Sequence, residues 1–224
     1  MPLTKSKGNM YPWVTHTHCH LGGECPHKCV YCYVDNPRFG RPEKYQGELR
    51  LIEAEFAVKY GSGKTIFIEN CNDLFAEGVS DEYIRRVLAH CRTWPDNTYV
   101  FQTKNPGRMR MSVWEPNGIF GTTIETNRDI PGISKAPRPQ DRVAAMMGWQ
   151  VRKFVTVEPV LDFDVDVFAE WIARIEPEFV NLGADSKAHH LPEPTIEKIT
   201  SLVDKLKTYG IELREKHNLS RLKP

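Results

Sequence analysis

The sequence predicts an α/β fold, a partial (β/α)6 TIM-like barrel with parallel strands, and two observations carry that expectation. Short β-branched or aromatic segments alternate with segments of helical spacing along the 224 residues, the pattern of a parallel sheet with right-handed crossovers. Polar residues recur at period two where the strand segments end. A doubly wound sheet, buried on both faces, tolerates such ends poorly, whereas a barrel turns them toward its open C-terminal mouth. No internal repeat, low-complexity tract or linker divides the chain, so a single domain over 1–224 is expected.

The strand segments are Trp13–Thr17, Thr65–Glu69, Tyr99–Thr103, Gly118–Ile124, Phe154–Glu158 and Phe179–Gly183, each bounded by Gly, Pro, Asn or Asp. A short seventh strand is expected near 211–213. Helical faces are formed by Leu49, Ile52 and Phe56, by Ile84, Val87, Leu88 and Cys91, and by Val143, Met146 and Met147 after a start near Pro139–Asp141. Two more follow, through Phe168, Trp171, Ile172 and Ile175 and through Ile196, Ile199, Leu202, Val203 and Leu206. Ser80 is a suitable N-cap, and Asp81 and Glu82 suit the positive end of a helix dipole. Period two places Gln102 with Lys104, Thr123 with Glu125, Thr156 with Glu158 and Asn181 with Asp185 on shared faces. The proline- and glycine-containing segments Asp35–Gly47 and Thr126–Gln140 are expected to lie over the barrel mouth.

Charge and hydropathy exclude some classes. Lys+Arg 30 against Asp+Glu 29 leaves a net charge of +1, so no strong basic field captures nucleic acid non-specifically, although a local patch remains compatible. No apolar run reaches the ~18–20 residues of a membrane span, and the first residues lack the apolar stretch of a signal peptide. A cytoplasmic location is therefore expected, with no membrane partner, and cysteines there are poor disulfide candidates. Four of the six cysteines, Cys19, Cys25, Cys29 and Cys32, fall between positions 19 and 32. Such crowding points to metal.

Three thiolates spaced C-x3-C-x2-C at Cys25, Cys29 and Cys32 can wrap one face of a cubane iron–sulfur cluster. Such clusters ordinarily take four cysteines, so three leave one iron open for chemistry. Two zinc readings compete. His16, His18 and His20 alternate along the first strand and would share one face, as in a zinc-dependent hydrolase. Cys19, Cys25, Cys29 and Cys32 together could form a non-catalytic zinc-binding module, although they lack paired C-x2-C knuckles. Cys19 also reads as a small buried hydrophobe, and Cys71 and Cys91 are isolated in sequence. Gly61–Thr65 resembles a phosphate loop only in part, because it precedes a strand and Val58 stands where the pattern needs glycine.

The segment Cys25-Pro-His-Lys-Cys29-Val-Tyr-Cys32 resembles the signature of the radical S-adenosylmethionine (radical SAM) superfamily, which has an aromatic residue, here Tyr31, before the third cysteine and sits after the first strand of a partial or full (β/α) barrel. Thr65–Phe75, Phe101–Arg108, Gly121–Glu125 and Val157–Pro159 are similar to a small phage-associated subgroup of unassigned function. The resemblance implies a [4Fe-4S] cluster held by Cys25, Cys29 and Cys32, with S-adenosyl-L-methionine (SAM) as second cofactor. It implies reductive cleavage of SAM to a 5′-deoxyadenosyl radical that abstracts a substrate hydrogen. It implies a one-electron reductant of flavodoxin or ferredoxin type as partner.

Carried over by position, Tyr31 would lie near adenine. Glu69 and Asn70 would stand where the family contacts the SAM amino group, although the usual glycine-rich motif is absent there. Lys104, Thr123 and Glu125 would meet the SAM carboxylate and ribose, and Glu158 would meet SAM or substrate. Glu158, Asp185 and Lys104 are the catalytic candidates. An incomplete barrel is open on one side, which fits a large substrate: a nucleotide, nucleic acid or peptide. Lys104, Arg108 and Arg110, with Arg38 and Arg41, either converge at the mouth to bind phosphates or are solvated surface charge.

Overall fold

Consecutive apolar residues near the start of the central strands (Ile66 and Phe67, Tyr99 and Val100, Ile119 and Phe120, Phe154 and Val155) are buried on both faces, as a curled parallel sheet requires. In the computed structural model, residues 3–35, 43–112, 117–186 and 189–222 are described. The strands are β1 (Thr4–Lys5), β2 (His16–His18), β3 (Leu21–Gly22), β4 (Arg50–Leu51), β5 (Thr65–Ile68), β6 (Thr98–Thr103), β7 (Gly118–Thr123), β8 (Lys153–Val157), β9 (Phe179–Leu182) and β10 (Glu212–Glu215). The helices are α1 (Asp81–Arg92), α2 (Pro106–Ser112), α3 (Pro139–Met146), α4 (Val165–Ile175) and α5 (Ile196–Thr208). The main sheet has the order β1-β2-β5-β6-β7-β8-β9-β10. β2 and β5 to β10 run parallel, and β1 adds antiparallel to β2. This is the α/β barrel the alternation predicts, left open between β1 and β10.

The register separates two cores. Ile66, Tyr99, Phe101, Phe120, Val155, Val157 and Val180 point outward and pack under the helices. Phe67, Val100, Ile119, Phe154 and Phe179 point inward and form a plug with Tyr11 and Val14 at the bottom of the barrel. Phe154 and Phe179 stack at 5.3 Å, and Trp13 meets Phe179 edge-on at 5.3 Å. Each such ring contributes about 1.5–3 kcal/mol by burial. Trp13 and the Arg214 guanidinium, 3.5 Å from the Phe179 ring centroid, lie at the open seam. A Cβ at Gly121 would fall 2.1 Å from the Phe154 ring, so the plug requires glycine there.

Four elements depart from the sequence expectation. The Leu49–Phe56 spacing does not make a long helix: Leu51 pairs with Leu21 in a two-stranded sheet of β3 and β4, and a 3-10 turn, Glu53–Ala57, follows. Pairing wins there because Ile52 N–H also donates to His20 O at 2.8 Å. The short α2 buries only Pro106 and Met109, too few for a visible stripe. β1 is two residues long and polar. The seventh parallel strand is real and pairs with β9 from Glu212↔Phe179 to Glu215↔Leu182. Ser80 caps α1 by accepting from Tyr83 N–H at 3.2 Å. Among the described residues, no helix is long and apolar enough to cross a membrane.

Candidate functional site

The cysteine loop leaves β2 and is anchored from both sides. At its start, Glu69, in the left-handed region at φ 60, turns its carboxylate onto the loop backbone. It accepts from His20 N–H at 2.6 Å, Leu21 N–H at 3.1 Å and His20 Nδ1 at 2.9 Å. Tyr60 completes the arrangement, 3.0 Å from His20 Nε2. Gly23, at φ 88, lies so near the Glu48 carbonyl that a Cβ would come within 2.1 Å of its oxygen. In the middle of the loop, His27 Nε2 is 2.8 Å from Asp73 Oδ2. Asp73 also accepts from Thr103 Oγ1 at 2.7 Å, Lys104 N–H at 2.8 Å and Phe75 N–H at 3.0 Å. On the far side, Lys135 N–H donates to His27 O at 2.6 Å and Val30 N–H to Ile133 O at 3.0 Å. The Thr126–Gln140 segment therefore does lie against the loop. Of Asp35–Gly47, residues 36–42, with Arg38 and Arg41, lie outside the described residues.

This anchoring brings Cys25, Cys29 and Cys32 to one wall of a cavity of ≈ 470 Å³ at the C-terminal mouth of the barrel. Tyr31, Glu69, Asn70, Lys104, Thr123, Glu158 and Asp185 line it too. Its floor is a polar layer above the aromatic plug. Tyr11 OH is 2.7 Å from both Gln102 Oε1 and Thr156 Oγ1, and Gln102 Nε2 donates to Thr123 Oγ1 at 3.0 Å. The period-two pattern thus finds the lumen correctly.

Glu125 lies to one side of the cavity rather than on its wall. Lys104 Nζ at 2.5 Å and Arg142 Nη1 at 2.8 Å hold its carboxylate, and Tyr31 OH donates to it. Burial would raise this carboxyl, but Lys104 and Arg142 outweigh it and hold it down at about 2. Lys104 is thereby fixed 5.1 Å from the Tyr31 ring centroid. Glu158 faces the cavity and accepts from Lys216 Nζ at 2.6 Å, Asn218 Nδ2 at 2.8 Å and Asn9 Nδ2 at 2.9 Å. Asp185 meets His189 Nδ1 at 2.6 Å. Arg108 is spent on Ala76 O, Val79 O and Asp81, and Arg110 on Met147 O at 3.1 Å, so neither joins Lys104 at the mouth.

The histidines of the first strand do not form a metal site. Thr17 pairs with Phe67 and shares its lumen face, which sends His16 and His18, opposite Ile66 and Ile68, to the outer face. His20 follows them into an aromatic cluster, 4.5 Å from His18 and 5.3 Å from His90 between ring centroids. Among the described residues, no three His, Cys, Asp or Glu side chains gather as they would around a single metal ion. Neither the hydrolase triad nor a four-cysteine zinc knuckle is built. All six cysteines are free thiols.

The fit to a larger cluster is different. Three thiols from one loop line one cavity, none bridged to another. Burial pushes Cys25 up to about 12 and raises Cys29 and Cys32 as well. The chain alone does not favour these thiolates, whereas a bound cationic iron centre would. Three thiols on one loop are the donor set that an iron–sulfur cluster with one open side would take.

Sequence reading missed His27 with Asp73, Tyr11, Arg142, Lys216 and Asn218, and it treated Cys71 as isolated. The structure brings Cys71 against Cys19: Cys71 N–H donates to Cys19 Sγ at 3.4 Å. The neighbouring Cys19, Tyr33 and Tyr45 side chains lower Cys71 to about 6, against its burial. Only His27, inside the motif, carried a visible signal.

A model of the family described as a protein of unknown function (DUF5131) matches residues 13–173. The sequence matches no curated protein. Among solved structures, a spore photoproduct lyase mutant superposes with a TM-score of 0.62 at 11% identity, covering 95% of this chain and 80% of that one. Spore photoproduct lyase complexed with dinucleoside spore photoproduct gives 0.60 at 12%, covering 99% and 78%. A radical SAM methyltransferase from Sphaerobacter thermophilus gives 0.55 at 15%, covering 94% and 69%. The chain has the fold these enzymes share.

Proposed function

The chain belongs to the DUF5131 family, and on that premise we propose that it is a radical SAM enzyme. The observation that carries this reading is the placement of Cys25, Cys29 and Cys32 on one cavity wall at the mouth of a parallel barrel. Cys25, Cys29 and Cys32 would hold a [4Fe-4S] cluster, and the cavity beside them would take SAM. When bound, these groups supply a one-electron reductive cleavage that yields methionine and a 5′-deoxyadenosyl radical able to take a hydrogen from substrate. A flavodoxin- or ferredoxin-type protein would deliver the electron.

The residues of the chain bind, orient and exclude water. The Glu125 carboxylate, neutralised by Lys104 and Arg142, fixes the Tyr31 ring beside the cysteines, where it would flank adenine. Thr123 offers its hydroxyl to SAM, whereas Asn70 already spends its amide on Cys19, Tyr33 and Cys71. Glu69, assigned to the SAM amino group by position, already spends its oxygens on the loop, so its part is to set the loop start. Glu158, oriented by Lys216 and Asn218, is the carboxylate best placed to receive substrate, in a cavity that Asp185 and Lys104 also line. The aromatic plug closes the bottom of the barrel to water.

For substrate we favour a nucleotide or nucleic acid over a peptide. The fold likeness to a lyase complexed with a dinucleoside supports this. So do Lys7 and the exposed Tyr33 ring, which line the cavity and suit a phosphate and a base.

Anaerobic reconstitution with iron and sulfide should give a brown protein that cleaves SAM when dithionite is added, and Cys29→Ala should lose both properties. A colourless protein with stoichiometric zinc would refute the reading. For the substrate, deuterium should pass from a deuterated oligonucleotide into 5′-deoxyadenosine. Transfer from a deuterated peptide alone would favour the other class.

A further inference from the structure

Cys19 and Cys71 lie 52 residues apart in sequence, yet they meet beside the cavity. Cys19 is buried just after β2, whereas Cys71 is half-buried and lines the cavity. Two donors reach the Cys71 sulfur, Tyr33 OH and Asn70 Nδ2, each at 3.4 Å, while the Cys19 thiol beside it donates to Asn70 Oδ1 at 3.2 Å. Nothing in the cofactor reading uses either thiol. Cys91 offers the contrast, a fully buried thiol on the core face of α1.

An accessible sulfur that receives donors, with a second cysteine whose sulfur accepts from the first one's backbone N–H, is the arrangement of an attacking cysteine and its resolving partner. We propose that Cys71 and Cys19 form a dithiol site that reacts with low-molecular-weight disulfides, Cys71 attacking and Cys19 resolving. The Cys71 thiolate bonds to one sulfur of the reagent and breaks its S–S bond, and the released thiolate takes a proton from solvent. Cys19 then gives up its proton, bonds to the Cys71 sulfur and releases the second reagent thiol. The chain loses two electrons and two protons overall, and the reagent disulfide becomes two thiols. The product ties the residue just after β2 to the segment after β5 and withdraws from Tyr33, next to Cys32, the sulfur it hydrogen-bonds. This site does not depend on the cofactor reading and stands whether or not iron is bound.

The test uses the purified full-length chain, reduced, freed of reductant and exposed anaerobically to hydroxyethyl disulfide. Remaining thiols are then alkylated with N-ethylmaleimide after unfolding, and peptides are mapped by mass spectrometry. The expected result is loss of Cys19 and Cys71 as alkylatable thiols and a linked peptide pair containing both, with Cys91 still fully alkylated. Cys19→Ser should stop at a mixed disulfide on Cys71, and Cys71→Ser should leave Cys19 unmodified over the same time. The proposal is overturned if the native chain keeps both thiols, if Cys71 stops at the mixed disulfide with Cys19 present, or if either cysteine links mainly to Cys25, Cys29 or Cys32. The native-chain map decides the matter even if a variant does not fold.

Discussion

The imidazole of His27, two residues from Cys25 and two from Cys29, is tied to the Asp73 carboxylate across 2.8 Å. One carboxylate thereby joins the cysteine loop to the segment after β5 and to the end of β6, through Thr103 Oγ1 and Lys104 N–H. Asp73→Ala leaves these buried donors without an acceptor, and each such orphan costs about 1–3 kcal/mol. The variant should unfold at a lower urea midpoint, with a stability loss of about 3 kcal/mol or more in total. It should also take up less iron than the native chain at equal folded fraction. Unchanged iron uptake would show that the pair holds the sheet but not the loop.

Gly121 and Phe154 make a second relationship that can be tested without any cofactor. Gly121→Ala places a methyl group 2.1 Å from the Phe154 ring, inside a plug with no room to yield. Overpacking of this kind costs about 1–3 kcal/mol. Thermal unfolding should show the loss for Gly121→Ala and partial recovery in Gly121→Ala/Phe154→Leu. An additive double variant would mean that the ring moves freely and that the plug is looser than the contacts indicate.

The strands were legible because each is a short β-branched or aromatic run, and the lumen was legible because Gln102, Thr123, Thr156 and Glu158 repeat at period two against an apolar opposite face. The phase of β2 was not. His16, His18 and His20 alternate correctly for a strand, but one strand does not tell which face is the lumen. That choice is made by pairing with β5, where Thr17 aligns with Phe67. Cys71 was missed for a similar reason, since contact with Cys19 arises only when β2 and β5 are adjacent. Lys216 and Asn218 come from the segment after β10, where polar residues look like an ordinary tail until Glu158 is found between them.

The two histidine- and cysteine-based assignments separate cleanly by iron content. His18 packs on the outer face against Tyr60 and Glu55, away from the cavity. His18→Gln should keep the iron and the visible absorption of the reconstituted protein, whereas Cys32→Ala should lose most of both. Parallel loss in both variants would return the first strand to the metal site.

Acid should weaken the fold in two separate windows. Burial, aided by neighbouring His20, lowers His18 from 6.5 to about 4. The unfolded chain therefore takes up a proton that the folded chain refuses, and stability falls as pH drops from about 6.5 to about 4. Glu125 is held at about 2 against an ordinary 4.5. Its contribution is fully present above about 4.5 and is lost as pH falls from there toward 2. Each shift corresponds to about 3 kcal/mol. Urea midpoints measured from pH 7 to pH 3 should fall in both ranges. His18→Gln should flatten the curve between about 6.5 and 4 while leaving the lower descent, because Lys104 and Arg142 still face the Glu125 carboxylate. A variant curve parallel to the native one in the upper range would show that another group titrates there.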